Sequence, residues 1–123
     1  MKNALIVYSS STGNTAKVAQ AIREGLEAAG INVAVKRPEE AQTVDFFDYD
    51  LVCVGSPSIQ WHPAKSVDDF LKAKLATYRK QGAIQPSAPK VPEKYALIFC
   101  TYSGPHTGIA EAEPVGKYMG QFF

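Results

Sequence analysis

The chain is poor in the residues that build metal centres and disulfide frameworks. Its 123 residues hold two cysteines and two histidines. Cys53 and Cys100 each stand inside an apolar run, with no CxxC and no Cys/His cluster, so a zinc site has no support. Buried free thiols in a reducing compartment are the expectation for both. An excess of charge of one sign is missing too. Thirteen Lys and Arg against twelve Asp and Glu leave a formal charge of +1. That excludes polyelectrolyte attraction as a basis for binding nucleic acid or a membrane surface. No apolar run approaches the roughly 18 residues of a membrane span. The apolar stretch near the N-terminus, "ALIVY", is too short for a signal peptide and lacks a small-residue cleavage site, so the chain reads as cytoplasmic. At this length it reads as one domain, residues 1–123, able to bury a core without staples.

What is present is an alternation of strand and helix signals. "ALIVY" (4–8) is an apolar run of the kind that forms a strand buried on both faces. Val18, Ile22, Gly25/Leu26 and Ala29 recur at helical spacing, and Gly30 stands where a helix C-terminal cap belongs. "INVAVK" (31–36) suits an edge strand, and "LVCVG" (51–55) another buried one. Pro63 precedes a second helix over 64–78, with Val67, Phe70, Leu71, Lys74/Leu75 and Tyr78 as its inward stripe. Residues 79–94, with three prolines, read as a long exposed loop. "YALIFCT" (95–101) predicts a fourth strand. Val115, Tyr118, Met119, Phe122 and Phe123 place a last helix after Pro114. The order βαβ(α)βαβα argues for a doubly wound α/β fold, a parallel sheet covered on both faces.

The loop after the first strand, "SSSTGNT" (9–15), carries hydroxyls, an amide and a glycine but no charge. A helix N-terminus there offers unpaired N–H groups and the positive end of the helix dipole, the elements of an anion site. Ser10, Thr12, Thr15 and Asn14 would add donors, and Gly13 would let the backbone wrap closely. A plain capped turn is the simpler alternative, but it needs only one such residue. A Walker loop is excluded, because the loop has one glycine and Lys17 is out of place; G-x-G-x-x-G is absent as well. Two other folds with this order can be set aside. A signalling receiver needs clustered acidic residues after its first strand and an Asp ending its third, where this chain has Ser9 to Thr12 and Gly55-Ser56. A low-molecular-weight phosphatase needs a cysteine opening the first loop.

"YSSSTGNTAKVAQAI" resembles the phosphate loop and first helix of the flavodoxins, whose pattern [ST]-x-T-G-x-T falls here on Ser10, Ser11, Thr12, Gly13, Asn14 and Thr15. "GSPSIQWHP" (55–63) and "TYSGPHTG" (101–108) are similar to the two loops that in that family hold the flavin ring. The resemblance implies a flavodoxin-like sheet of order 2-1-3-4, with the family's fifth strand missing, and FMN as cofactor. It assigns the phosphate to the first loop. The ring goes to Ser56, Pro57, Ser58, Ile59, Gln60, Trp61, Thr101, Tyr102, Ser103 and Gly104, with Trp61 and Tyr102 as stacking aromatics. His62 and His106, in the same loops, could tune the flavin electrostatically.

The chain departs from the family in three ways. Between Ser56 and Trp61 it has a proline and no glycine. Its charge is near neutral where flavodoxins are usually acidic, with Lys72, Lys74, Arg79 and Lys80 making its middle basic. Nothing after "GKYMGQFF" corresponds to a fifth strand and final helix. "YALIFCT" is therefore expected at an exposed sheet edge, either in a truncated product or in a chain that completes its sheet through a partner, for instance as a homodimer. The leading functional expectation is an FMN-binding electron-transfer protein serving a redox partner protein, with the flavin carrying the chemistry. An FMN-dependent, quinone-type reductase and a flavin-free interaction module on the same scaffold are the alternatives.

Overall fold

The apolar run after Lys2 forms the central strand, β1 (Asn3–Tyr8), in a computed structural model of the chain. The structure describes residues 2–10, 13–59, 62–80 and 94–101, together with Lys117 and Met119. β1 pairs in parallel with β2 (Asn32–Lys36) on one side and with β3 (Leu51–Ile59) on the other. β4 (Tyr95–Thr101) pairs in parallel with the far side of β3. The parallel sheet therefore has the order β2-β1-β3-β4, with "NVAVK" at an edge as expected. A two-residue return strand, His62–Pro63, runs antiparallel to the end of β3 and was not foreseen.

The period-2 alternation of a strand divides the core in two. Leu5 and Val7 of β1 join Val52 and Val54 of β3 under Val67, Phe70 and Leu71 of α2 (Lys65–Lys80), with Met119 also in this layer. Ile6 and Cys53 face the other way, against Ala19 of α1 (Asn14–Ala28). Helices thus cover both faces, and the doubly wound reading holds. Burial raises the Cys53 thiol to about 11 and pushes Cys100 up as well, so both stay protonated at neutral pH.

The ends of α1 follow from two glycines. Gly13 takes a left-handed conformation, φ 89°, and its carbonyl accepts the first helical bond, from Lys17 N–H at 3.0 Å. Gly30, φ 83°, ends the helix. Its N–H bonds Glu27 O, and Ile31 N–H bonds Leu26 O, the paired pattern of a Schellman cap. The expected inward stripe needs correction, however. Thr15 and Ala19 are the buried residues, Ile22 packs beside them, and Val18 is 36% exposed. The small Ala19 lets the helix approach Ile6 and Cys53, which turns Val18, about 100° further round, toward solvent.

In α2 the expected stripe is the observed one: Val67, Phe70, Leu71, Lys74 and Tyr78 are all buried. Between β2 and β3 the chain makes two short 3₁₀ turns, Pro38–Glu40 and Phe46–Asp48, where the sequence had left room for a helix. α2 fastens this crossover down. Tyr78 accepts from Phe46 N–H at 2.7 Å and donates to Asp45 Oδ1 at 2.9 Å. The Lys74 ammonium donates to the carbonyls of Gln42 and Val44, and burial lowers its pKa.

Among the described residues the fourth strand stands at the edge of the sheet. Tyr95 is 67% and Leu97 42% exposed, and among the described residues no strand pairs with the outer side of β4. Met119 is helical and buried, in keeping with the last predicted helix; Val115, Tyr118, Phe122 and Phe123 lie outside the described residues, as does 81–93 of the proline-rich loop.

Candidate functional site

Parallel strands deliver their carboxyl ends to one edge, and the loops that leave them meet there. Among the described residues, hydrogen bonds join those loops. Ser9 N–H donates to Gly55 O at 3.2 Å, tying the segment after β1 to β3. The hydroxyls of Thr15 and Thr101 lie 2.8 Å apart, tying the first turn of α1 to the end of β4 across 86 positions of sequence. Thr15 is 1% exposed, so this pair forms the floor beneath the N-terminus of α1.

Around that N-terminus the chain builds a cradle. Ser10 Oγ accepts from Gly13 N–H at 3.0 Å, which closes the loop into a tight turn. The N–H groups of Asn14, Thr15 and Ala16 have no carbonyl of their own helix to bond. No acidic side chain lies in the first turn to repel an anion. A Cβ added at Gly13 would meet nothing within 4 Å, so the space beside the cap is open. Neutral donors, open space and the positive helix end suit a phosphate group. Ser11 and Thr12 lie outside the described residues.

The second loop is shaped by Ser56, which is fully buried. Its hydroxyl donates to Pro57 O at 2.9 Å and accepts from Ala64 N–H at 2.7 Å. With its proton and one lone pair engaged inside the chain, its side chain holds the loop in place and starts α2. β3 runs on through Pro57 and Ser58 to Ile59, which pairs with His62. Pro57 is tolerated here because it stands near the end of the strand. Gln60 and Trp61 fall between those partners, outside the described residues, and so do Tyr102, Ser103, Gly104 and His106 of the third loop. Of the expected site residues, the structure thus brings Ser10, Gly13, Asn14, Thr15, Ser56, Pro57 and Thr101, with the backbone of Ser58 and Ile59, to one edge of the sheet.

The sequence model of the flavodoxin domain matches residues 5–86, two thirds of the chain. The chain belongs to the flavodoxin family. A curated flavodoxin from Aquifex aeolicus is 34% identical over 76 residues, covering 58% of this chain and 41% of that protein. The match thus spans less than half the length of that relative. Among solved structures, a flavodoxin of Streptococcus pneumoniae TIGR4 superposes with a TM-score of 0.70 at 21% identity, over 98% of this chain and 74% of that one. A Fusobacterium nucleatum flavodoxin variant bound to flavin mononucleotide gives 0.67 at 14% identity, over 98% of this chain and 62% of that one. At such identities the superpositions show the fold. Among the described residues no helix is long and apolar enough to cross a membrane, and no cluster of His, Cys, Asp and Glu could hold a metal ion.

The sequence reading of this flavodoxin domain passed over Arg37. Its signal was available: it is the residue directly after the edge strand that neighbours β1, and so it stands at the same edge as the first loop.

Proposed function

We propose that this chain binds FMN at the carboxyl edge of its sheet and serves in electron transfer. The observation that carries the reading is the Thr15–Thr101 contact, which sets the N-terminus of α1 against the end of β4 at 2.8 Å and brings together segments far apart in sequence. The N–H groups opening α1 and the Ser10 hydroxyl would hold the 5′-phosphate. The loop braced by Ser56 and the segment that follows Thr101 would flank the ring, with Trp61 and Tyr102 as the stacking residues. The flavin, when bound, supplies the reversible uptake of electrons. The protein's part is to bind the phosphate, orient the ring and shield it from water. The membership of the family and the FMN held by the Fusobacterium relative support this reading.

Titration of the purified apo-protein with FMN, followed by quenching of flavin fluorescence, tests it. Saturable one-to-one binding with strong quenching is the expected result. No binding by a sample whose circular dichroism shows it folded would overturn the reading and leave a flavin-free scaffold. Mixing the loaded protein with a nicotinamide nucleotide then separates carrier from reductase, because a carrier's flavin stays oxidised.

A further inference from the structure

Residues 9–16 carry no charge, yet the structure sets a cation against them. Arg37 leaves the end of β2 in extended backbone, φ −81° and ψ 161°. Its guanidinium carbon lies 4.8 Å from the centroid of the Tyr8 ring, on the last residue of β1 before the loop. Nη1 reaches to 3.5 Å from Ser10 O, the carbonyl of the residue whose hydroxyl closes the loop on Gly13. Glu40 Oε1 accepts from the Arg37 backbone N–H at 2.9 Å and not from the guanidinium. No described carboxylate forms an ion pair with the guanidinium.

A guanidinium has five N–H donors in a planar fork that matches a phosphate. Here one donor makes a long contact to a carbonyl, and the cation–π contact with Tyr8 holds the group near the ring without using the others. The side chain is held at the rim of the cradle with donors to spare. The N–H groups and the helix dipole already favour a phosphate, but they carry only partial charge. A cation beside them adds a full one.

We propose that Arg37 is the charge-reading residue of the first loop, donating to the phosphate of the bound ligand and making the site select a phosphorylated flavin over its unphosphorylated form. This rests on the reading that the loop is a flavin phosphate site. A purely structural role, packing on Tyr8, would instead affect both ligands alike.

The test compares the wild type with Arg37→Gln and Arg37→Lys, using FMN and riboflavin as probes at several salt concentrations. Arg37→Gln is expected to weaken FMN binding about tenfold or more while leaving riboflavin affinity unchanged. The salt dependence of FMN binding should also flatten, since the charge that salt screens is gone. Arg37→Lys should restore part of the affinity and of the salt dependence. Equal weakening for both ligands, or no change for either, would overturn the proposal. If the wild type binds neither flavin, it is the functional reading that fails. Arg37 is then judged by inorganic phosphate, read as amide chemical shifts of Gly13 to Thr15. Shifts in the wild type that Arg37→Gln diminishes would sustain its role, and shifts alike in both, or in neither, would end it.

Discussion

The contact between Thr15 and Thr101 gives two different predictions for its two halves. The hydroxyls are 2.8 Å apart, but Thr15 is 1% exposed whereas Thr101 is only half-buried. Valine keeps the shape of threonine and deletes the hydroxyl. Thr101→Val would leave the Thr15 hydroxyl sealed off with its described partner removed, at a cost of about 1–3 kcal/mol. Thr15→Val would leave the Thr101 hydroxyl able to find water, at about 0.5–1.5 kcal/mol. The double variant removes both polar groups together. It should therefore cost less than the sum of the singles, with a coupling energy of about 0.5–1.5 kcal/mol. Urea unfolding of the four proteins in phosphate-free buffer measures this. With a slope of about 1–3 kcal/mol per molar urea, a loss of 1.4 kcal/mol moves the midpoint by roughly 0.5–1.4 M. FMN affinity should fall in the same order, because the bond joins two of the loops assigned to the cofactor. Equal and strictly additive costs would refute the reasoning, since they would mean that the two hydroxyls do not meet.

Gly55 pairs with Phe99 across β3 and β4, and a Cβ at Gly55 would run into the Phe99 ring. Gly55→Ala should destabilise the chain by about 1–3 kcal/mol, and pairing it with Phe99→Leu should recover part of the loss; an unchanged denaturation midpoint in the single variant would contradict this packing. Tyr78 is raised to about 12, chiefly by burial and further by its hydrogen bond to Asp45. A folded value above the unfolded one, near 10, means stability that is fully present below pH 10 and lost as pH rises toward 12. The advantage of the wild type over Tyr78→Phe should therefore shrink across that window by on the order of 2 kcal/mol, and a pH-independent difference between the two would count against the buried hydroxyl.

What the sequence determined by itself was the strands, the helix caps and the face of α2, each set by a local run, cap or period. The runs at 4–8, 51–55 and 95–101 are strands, and Gly30 ends α1, because a continuous apolar run or a left-handed cap is decided by neighbours in the chain. The inward face of α2 was legible down to Lys74, since five positions at helical spacing leave one solution. The turn at Gly13 that opens α1 was legible for the same reason, because its glycine and polar neighbours are consecutive. The phase of α1 was not, because Val18 and Ala19 both suit an apolar stripe and only the approach of the helix to Ile6 and Cys53 chooses the smaller. Nor was the burial of the Ser56 hydroxyl, which depends on how the return from His62 brings Ala64 N–H against it. Thr15 meeting Thr101 and Arg37 lying on Tyr8 belong to the same class. Each joins residues of different elements at one edge of the sheet, and strand order and register, which no local pattern carries, decide which side chains share that edge.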